Sequence, residues 1–412
     1  MQGKMRPILQ PHYMEKFHCI SEQCEDCCCM GWQVPIDHKT YQKYRNCSDK
    51  ILQPQMHQQI TRVRTNASEF NYAKVRLNEE SSCPFLDEER LCSIQRRLGE
   101  KYLSITCTTY PRVTNLVGGK MEKSLTVSCP EAARLVLLNS ALMEFDQAEE
   151  DSAIRNHVLY KVNPDAVCVS PSKYFWDMRI FIITLLQDRS YFLWQRLIIL
   201  GLFCQHLTDL VSQGKSHDIL QAITLYTHRV QTGAYREELE RAPKNIIVQM
   251  ELFNLLIKCR LEGVVKSQRF VECFKDFFNG MDYATGDSEE QLALRYEKAF
   301  TQFYQPFMGQ HEYIMENYLV NYVFKELFPV QGQGHIFDNY VLLVVHFAMM
   351  KILLTGMAAF YKEKFSADHV MKAFQSYSKE VEHNKNYLLV VIQFLESNHF
   401  NTMPYMNALI KN

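Results

Sequence analysis

Ten of the chain's 14 cysteines fall within its first 129 residues, led by Cys19, Cys24, Cys27, Cys28 and Cys29 and followed by Cys83, Cys92, Cys107 and Cys129. A cysteine that merely packs behaves as a small hydrophobe, and three consecutive thiols at 27, 28 and 29 serve no packing purpose. Their spacing points to sulfur chemistry, a metal or cluster site in the N-terminal third. A disulfide framework is the competing explanation, and two observations weigh against it. Residues 1–16, MQGKMRPILQPHYMEK, contain no apolar run of signal-peptide length, so export by the usual route is not expected. A chain of 412 residues also buries a core without staples. Cys168, Cys204, Cys259 and Cys273 stand alone in apolar or helical sequence and read as inert.

Thiolates suit soft or borderline metals because polarizable sulfur donates well. Structural zinc usually takes close ligand pairs with roughly two to four residues between members. Cys19 and Cys24 meet that spacing, whereas eight residues separate Cys83 from Cys92 and fourteen separate Cys92 from Cys107. An iron-sulfur cluster accepts wider spacing, since its irons occupy separate corners. The thiols outnumber the ligands of one cluster, which leaves room for a second metal, exchangeable ligands or cysteines that only line the site. The Cys-x3-Cys-x2-Cys triplet of radical S-adenosylmethionine enzymes is not completed: Cys24 and Cys28 fit its first spacing, but Gly31 stands where the third thiol belongs. Gly118-Gly119 is a lone pair in a polar turn and not a dinucleotide-binding loop.

The elements that would position these thiols are short. From Cys19 to about Arg134, periodic pieces alternate with Gly, Pro, Asn and Cys, predicting helices over Asp37–Tyr44 and Cys92–Leu103 and a strand over Lys123–Val127 after the Gly118-Gly119 turn. Pro130 opens a helix over PEAARLVLLNSALMEF. Residues 146–171 are polar and aperiodic, with Pro164 and Pro171 as breakers, and read as a linker. Beyond them, ten segments between Tyr174 and Glu396 carry apolar residues at helical spacing, with Ser288 and Ser366 as caps. No fixed repeat length separates them, so an irregular bundle is expected. Tyr340–Tyr361 has the length of a membrane span, but His346 and Lys351 near its middle make it a buried helix that needs polar partners. Lysine plus arginine (45) nearly balances aspartate plus glutamate (46), which favours neither nucleic acid nor an anionic membrane as partner. The expected fold is mainly α: a small, irregular, cysteine-rich metal-binding N-terminal domain over residues 1–150, then an all-α helical bundle domain over 165–412.

The sequence around the thiols reads FHCISEQCEDCCCMGWQVPIDHKTYQKY from Phe17, CPFLDEERLCSIQRRLGEKYLSITCTTYPR from Cys83 and SCPEAARL from Ser128, with ENYLVNYVFKELFP from Glu316. These segments resemble the CxxCxxCC superfamily of zinc or iron-sulfur proteins and, within it, the flagellin lysine-N-methylase family. Cys19, Cys24, Cys28 and Cys29 take the places of the four naming cysteines, with wider first and second spacings. Cys83, Cys92 and Cys107, followed by Tyr110-Pro111-Arg112, match the downstream half, and Cys129 in SCPEAARL is more specific to the methylase branch. Cys27 departs from the pattern. The resemblance implies a cytoplasmic bacterial enzyme that methylates lysines of flagellin, with S-adenosylmethionine as methyl donor and a [4Fe-4S] cluster, zinc being the alternative. It implies Cys19, Cys24, Cys28, Cys29, Cys83, Cys92, Cys107 and Cys129 as metal ligands. A rival from another class is a non-catalytic, metal-stabilised module that recognises an export client; a third is redox or metal-handling work by the thiols.

No catalytic base or S-adenosylmethionine contact is legible in the sequence. Trp32 stacks on a ligand or packs the small domain, and Tyr110-Pro111-Arg112 shapes a pocket or a surface turn. Glu316, Asn317 and Asn321 share a predicted helix with Tyr318 and Tyr322 and line a polar cleft or form an exposed stripe. Glu312 and Glu316, one turn apart, form a base pair of carboxylates or a solvated face.

Overall fold

The computed structural model describes residues 4–165, 170–261, 263–284, 286–331 and 335–412, so Cys168 lies outside the described residues. The chain is mainly helical, but its N-terminal part carries more sheet than its sequence suggests. Eight strands, β1 (Met5–Pro11), β2 (Pro35–Ile36), β3 (Ile60–Arg62), β4 (Ala73–Val75), β5 (Arg112–Val117), β6 (Lys120–Leu125), β7 (Phe145–Asp151) and β8 (Val158–Val162), form a five-stranded sheet in the order β7-β1-β6-β5-β8 and a three-stranded sheet β2-β4-β3. The predicted strand at Lys123–Val127 is β6, shifted a few residues earlier. It pairs antiparallel with β5 from Arg112↔Leu125 to Val117↔Lys120. The turn between them is Gly118-Gly119, with φ of 53° and 77°. Two consecutive positive φ values are what the tightest hairpin connection demands, and glycine meets them without a Cβ penalty.

The other pairings join distant segments. β1 runs parallel to β6 at Ile8↔Met121 and antiparallel to β7 from Met5↔Asp151 to Pro11↔Phe145, while β5 runs parallel to β8. The stretch at 146–171 is therefore no linker over its first half. β7 (FDQAEED) and β8 are the two edges of the large sheet, and β7 carries the charge with which edge strands block further pairing, which removes the apolar alternation that sequence reading relies on. The helix opened by Pro130 stops at Leu137, well before the end of its predicted run.

From Pro171 onward every described element is helical. The helix Ile336–Tyr361 is the axis of the bundle: it is long and apolar enough to cross a membrane by length and composition, yet 94% of its apolar window is buried inside the protein. His346 and Lys351 find the partners they need there. His346 Nδ1 lies 2.9 Å from Tyr377 Oη, and Lys351 donates to Ile410 O at 2.6 Å and to the Asn412 side chain. The Gln268–Gly280 helix crosses this axis backbone to backbone. A Cβ on Gly280 would overlap the Gly356 carbonyl and stand 2.7 Å from Phe360 N.

One hydrophobic core joins sheet and bundle, running from Tyr13, Phe17, Leu125 and Val127 to Leu409. The helix Glu312–Lys325 lies at this junction. Asn321 donates to Leu125 O at 3.1 Å and accepts from Tyr13, while Asn317 donates to Asn139 O at 2.7 Å. Neither a polar cleft nor an exposed stripe, these asparagines satisfy backbone and tyrosine groups buried where the two layers meet. Glu316 is likewise locked, 2.6 Å from Arg196 Nη1 and 2.8 Å from Arg189 Nη2, and Glu312 lies 3.2 Å from Arg196 Nη2. The pair is a structural ion network and not a base. A smaller core under β2-β4-β3 includes Val34, Tyr44, Cys47, Phe85 and Leu103.

Candidate metal centre and adjoining cleft

Short turns bring the thiols together from five chain segments. The Cys27–Cys29 turn is tied to the Cys83 segment by the Cys83 N–H, which donates to Cys29 O at 2.9 Å, and by the bridge Met30↔Ser82. A second bridge, Leu86↔Cys92, folds the next segment back. Cys92 caps the helix Ser93–Leu98, Cys107 sits in the first turn of Ile105–Thr109, and Cys129 caps Pro130–Leu137. Ser104 anchors the middle one, accepting from Cys107 N at 3.1 Å, and Asp37 accepts from Ile105 N at 3.0 Å. All the described cysteines are free.

The electrostatics show that the thiols act on one another. The thiols of Cys24, Cys83, Cys92, Cys107 and Cys129 are all pushed up, Cys83 to about 11 and Cys107 and Cys129 to about 12. Burial leads in each case and neighbouring thiols add to it, with Cys28 among the neighbours of every one. Cys107 and Cys28 have exposed faces, but dense protein around them still desolvates a thiolate. Cys28 Sγ stands 3.9 Å from Cys29 Sγ. Hydrogen bonding from Cys29 holds Cys27 down at about 6 and lowers Cys28, while Cys29 itself, shared between Cys27 and Cys28, is driven up.

Backbone N–H groups face several of these sulfurs: those of Ile94 and Gln95 at Cys92, Glu131 and Ala132 at Cys129, Phe85 at Cys83 and Asp26 at Cys24. Such donors stabilise thiolate over thiol. A cation among them would do the same and relieve the mutual repulsion of the set. In donor chemistry, though not in spacing, the set therefore suits a thiolate-bound group. Among the described residues, no three His, Cys, Asp or Glu side chains stand close enough to hold a single metal ion. Of the eight sequence-predicted ligands, Cys24, Cys28, Cys29, Cys83, Cys92, Cys107 and Cys129 lie near enough to affect one another's titration, as does Cys27, which the family pattern set aside. Cys19 is exposed on the stretch leading into the turn Ser21–Gln23.

Beside the thiols lies a cleft of about 400 Å³ whose walls come from both parts of the chain: Gly31 and Trp32 on one side, Arg260, Val264 and Lys266 and the stretch Lys379–Asn386 on the other. Trp32 Nε1 donates to Cys28 O at 2.7 Å, and its ring centroid is 5.9 Å from that of Tyr110. Trp32 thus joins the thiol turn to the cleft. Arg112 turns away, its guanidinium 4.9 Å from the centroid of the Phe17 ring. Gly31 has a φ of 85°, a left-handed conformation that glycine adopts without strain, and a Cβ there would stand at ordinary contact distance, 3.7 and 3.8 Å, from Lys266 and Lys379.

The opposite wall is a π-helical turn, Ser378–Glu382, that interrupts the end of the helix Ala367–Tyr377. Single π turns commonly occur at functional sites because they re-aim side chains at a modest cost in hydrogen bonding. Here the turn sends Lys379 to Asp26 at 2.7 Å and to Cys27 O at 3.1 Å. Glu380 goes to Arg260 and to the N–H of Lys266 at 3.0 Å, and Glu382 goes inward to Lys325 at 3.0 Å. Gln375, one turn earlier, donates to Asp26 Oδ2 at 2.7 Å and to Ser128 O at 2.8 Å. His383 follows directly. Its Nε2 lies 2.9 Å from Ser128 Oγ, which lies 3.1 Å from Tyr110 Oη. Sequence reading missed this wall, because a π turn preserves apolar periodicity and Ala367–Glu382 reads as one helix.

The family profile described as the FliB lysine N-methylase C-terminal domain matches residues 179–409, over half of the chain and including the whole π-turn wall. The chain belongs to this family. The lysine-N-methylases of Salmonella typhimurium and Salmonella choleraesuis are each 22% identical over 385 residues, 92% of this chain and 92% of theirs. A flagellar biosynthetic protein FliU of Salmonella muenchen is 31% identical over 152 residues, which is 37% of this chain and 88% of that protein. No solved structure matches the chain. The family match thus covers the wall with Lys379, Glu380 and His383, and the two full-length relatives extend the likeness across most of the chain.

Proposed function

We propose that the protein is a protein-lysine N-methyltransferase that modifies lysines of flagellin in the bacterial cytoplasm, with S-adenosylmethionine as methyl donor and a [4Fe-4S] cluster held by the N-terminal cysteines. Membership of a family described as lysine N-methylase, and relatives that carry that name, support the methyltransferase role. The flagellar name of a third relative supports the substrate. The observation that carries the reading is the cleft itself, which Trp32 and Lys379 tie to the backbone of the thiol turn and which the family domain walls on the other side.

The cluster's ligands would be drawn from Cys19, Cys24, Cys28, Cys29, Cys83, Cys92, Cys107 and Cys129, whose spread over several segments suits irons at separate corners. A bound cluster supplies a redox-active or Lewis-acidic iron beside the cleft. The chain's own residues supply the setting for transfer. A lysine amine attacks only when uncharged, and the cleft disfavours its ammonium form: Arg260, Lys266, Lys379 and Lys385 outnumber Glu380 among the lining residues. Trp32 offers a flat apolar face for a ligand ring.

The test is anaerobic purification followed by incubation with flagellin and methyl-labelled S-adenosylmethionine, with label on lysine read by mass spectrometry. About four irons and four sulfides per chain together with labelled lysines are expected. Zinc in place of iron with no labelled flagellin would overturn the proposal in favour of a metal-stabilised binding module.

A further inference from the structure

Methylation of lysine at neutral pH requires the removal of a proton from an ammonium group, and the cleft contains few groups able to take it. Arg260, Lys266, Lys379 and Lys385 are cations. Glu380 is saturated, bound by the Arg260 guanidinium and by the N–H groups of Lys266 and Ser267 at 3.0 and 2.5 Å. His346, the other histidine in this part of the core, is buried and engaged with Tyr377. His383 remains. It lines the cleft at the end of the π turn, and only its Nε2 has partners among the described residues: Ser128 Oγ at 2.9 Å and Thr126 Oγ1 at 3.4 Å. No hydrogen bond to its Nδ1 occurs among those residues.

We propose that His383 is the general base of the methyl transfer, accepting at Nδ1 the proton of the substrate lysine while Ser128, backed by Tyr110, holds its Nε2. This rests on the lysine-methylase reading. In the step, the ammonium passes one proton to the imidazole and becomes a neutral amine. The amine lone pair forms the N–C bond to the sulfonium methyl as the C–S bond breaks, and that electron pair stays on sulfur, leaving a neutral thioether. The imidazolium then returns its proton to solvent. The groups facing the imidazole agree with this role. Burial leads in lowering its affinity for a proton, Lys325 and Lys379 add to the effect, and Glu382 and Glu326 oppose it, so the ring is neutral and able to accept at neutral pH. Tyr110 and Ser128 approach from the cysteine side as neutral hydroxyls.

The experiment compares wild type, His383→Gln and Ser128→Ala as purified holoproteins on flagellin across pH. General-base catalysis contributes about 10²- to 10⁴-fold, so H383Q is expected to lose at least about 100-fold in kcat. It is also expected to lose the fall in activity that wild type shows as pH drops through the histidine pKa. S128A keeps that acid limb but shifts it. Calorimetric affinity for S-adenosylmethionine and the thermal midpoint stay at wild-type values in H383Q, which separates proton transfer from a structural role. An H383Q enzyme with near-wild-type kcat and an unchanged acid limb overturns the assignment, as does loss of methyl-donor binding together with activity. A wild-type protein inactive on every flagellin lysine would overturn the methylase reading itself, whereas an active wild type beside an equally active H383Q overturns only this inference.

Discussion

Glu316 offers the sharpest test of how the bundle is held. Its side chain is 1% exposed and that of its main partner, Arg196, 2% exposed, with Arg196 also donating to Tyr191 O at 2.8 Å and Leu186 O at 2.7 Å. Replacing Glu316 by alanine leaves the Arg196 cation buried with its main counter-charge gone, since Glu312 is farther off and half exposed. Removing one partner of a buried pair costs about 3 to 5 kcal/mol, because the orphaned charge keeps its desolvation penalty. At an m-value of about 3 kcal/mol/M, that lowers the urea midpoint by roughly 1 to 1.7 M. Removing both charges at once, as Glu316→Leu with Arg196→Met, should recover most of the loss, because two apolar side chains of similar volume need no compensation. Equilibrium unfolding followed by circular dichroism gives all three midpoints. As a control, Glu237→Ala breaks a pair whose side chains are 83% and 80% exposed and should leave the midpoint where it was. The reasoning is refuted if Glu316→Ala unfolds at the wild-type midpoint, or if the double replacement is as unstable as the single one.

Three further outcomes follow from the same coordinates. Burial, the largest single influence, pushes Glu382 up, but Lys325, His346 and the Tyr318 hydroxyl together outweigh it and leave it at about 2; a carboxylate depressed in the folded state stabilises above its unfolded pKa of about 4.3 and loses that contribution as pH falls toward 2. Glu382→Gln should therefore flatten the acid side of the stability profile between roughly pH 4 and 2. Lys351, desolvated to about 7, binds its proton less tightly folded than unfolded, so stability should rise as pH increases from about 7 to about 10, and Lys351→Met should abolish that rise in thermal melts. Gly280→Ala forces a methyl into the Gly356 carbonyl, a backbone atom that cannot swing aside, and should cost about 1 to 3 kcal/mol or more, whereas Gly214→Ala, with open space around it but a φ of 70°, should be affected by backbone strain alone.

The helical part was legible because its residues repeat at helical spacing and its caps are local: Ser288 and Gln291 exchange hydrogen bonds as expected, at 3.0 and 3.4 Å. The five-stranded sheet was not, because β1 finds its partners more than a hundred residues away and the edge strand β7 is charged. The cysteines announced a site by number alone, yet the wall facing them was hidden inside what reads as one continuous helix. Asn317 and Asn321 show the limit from the other side. Polar residues on a helix suggest a wet face, but here they are buried caps for backbone groups that the sheet contributes, and nothing local reveals the sheet.

The order in which the chain supplies these parts has a kinetic consequence. The thiols lie between residues 24 and 129, so their donor set is complete once the first third of the chain has been made, whereas the π-turn wall at 378–382 and His383 come far later. Long-range pairings form slowly because loop closure must precede any reward, and a nascent chain folds from its N-terminal side first. The sulfur donors should therefore pass through a stage in which they are assembled, unroofed and open to solvent, and the cleft should close over them only when the last quarter of the chain docks.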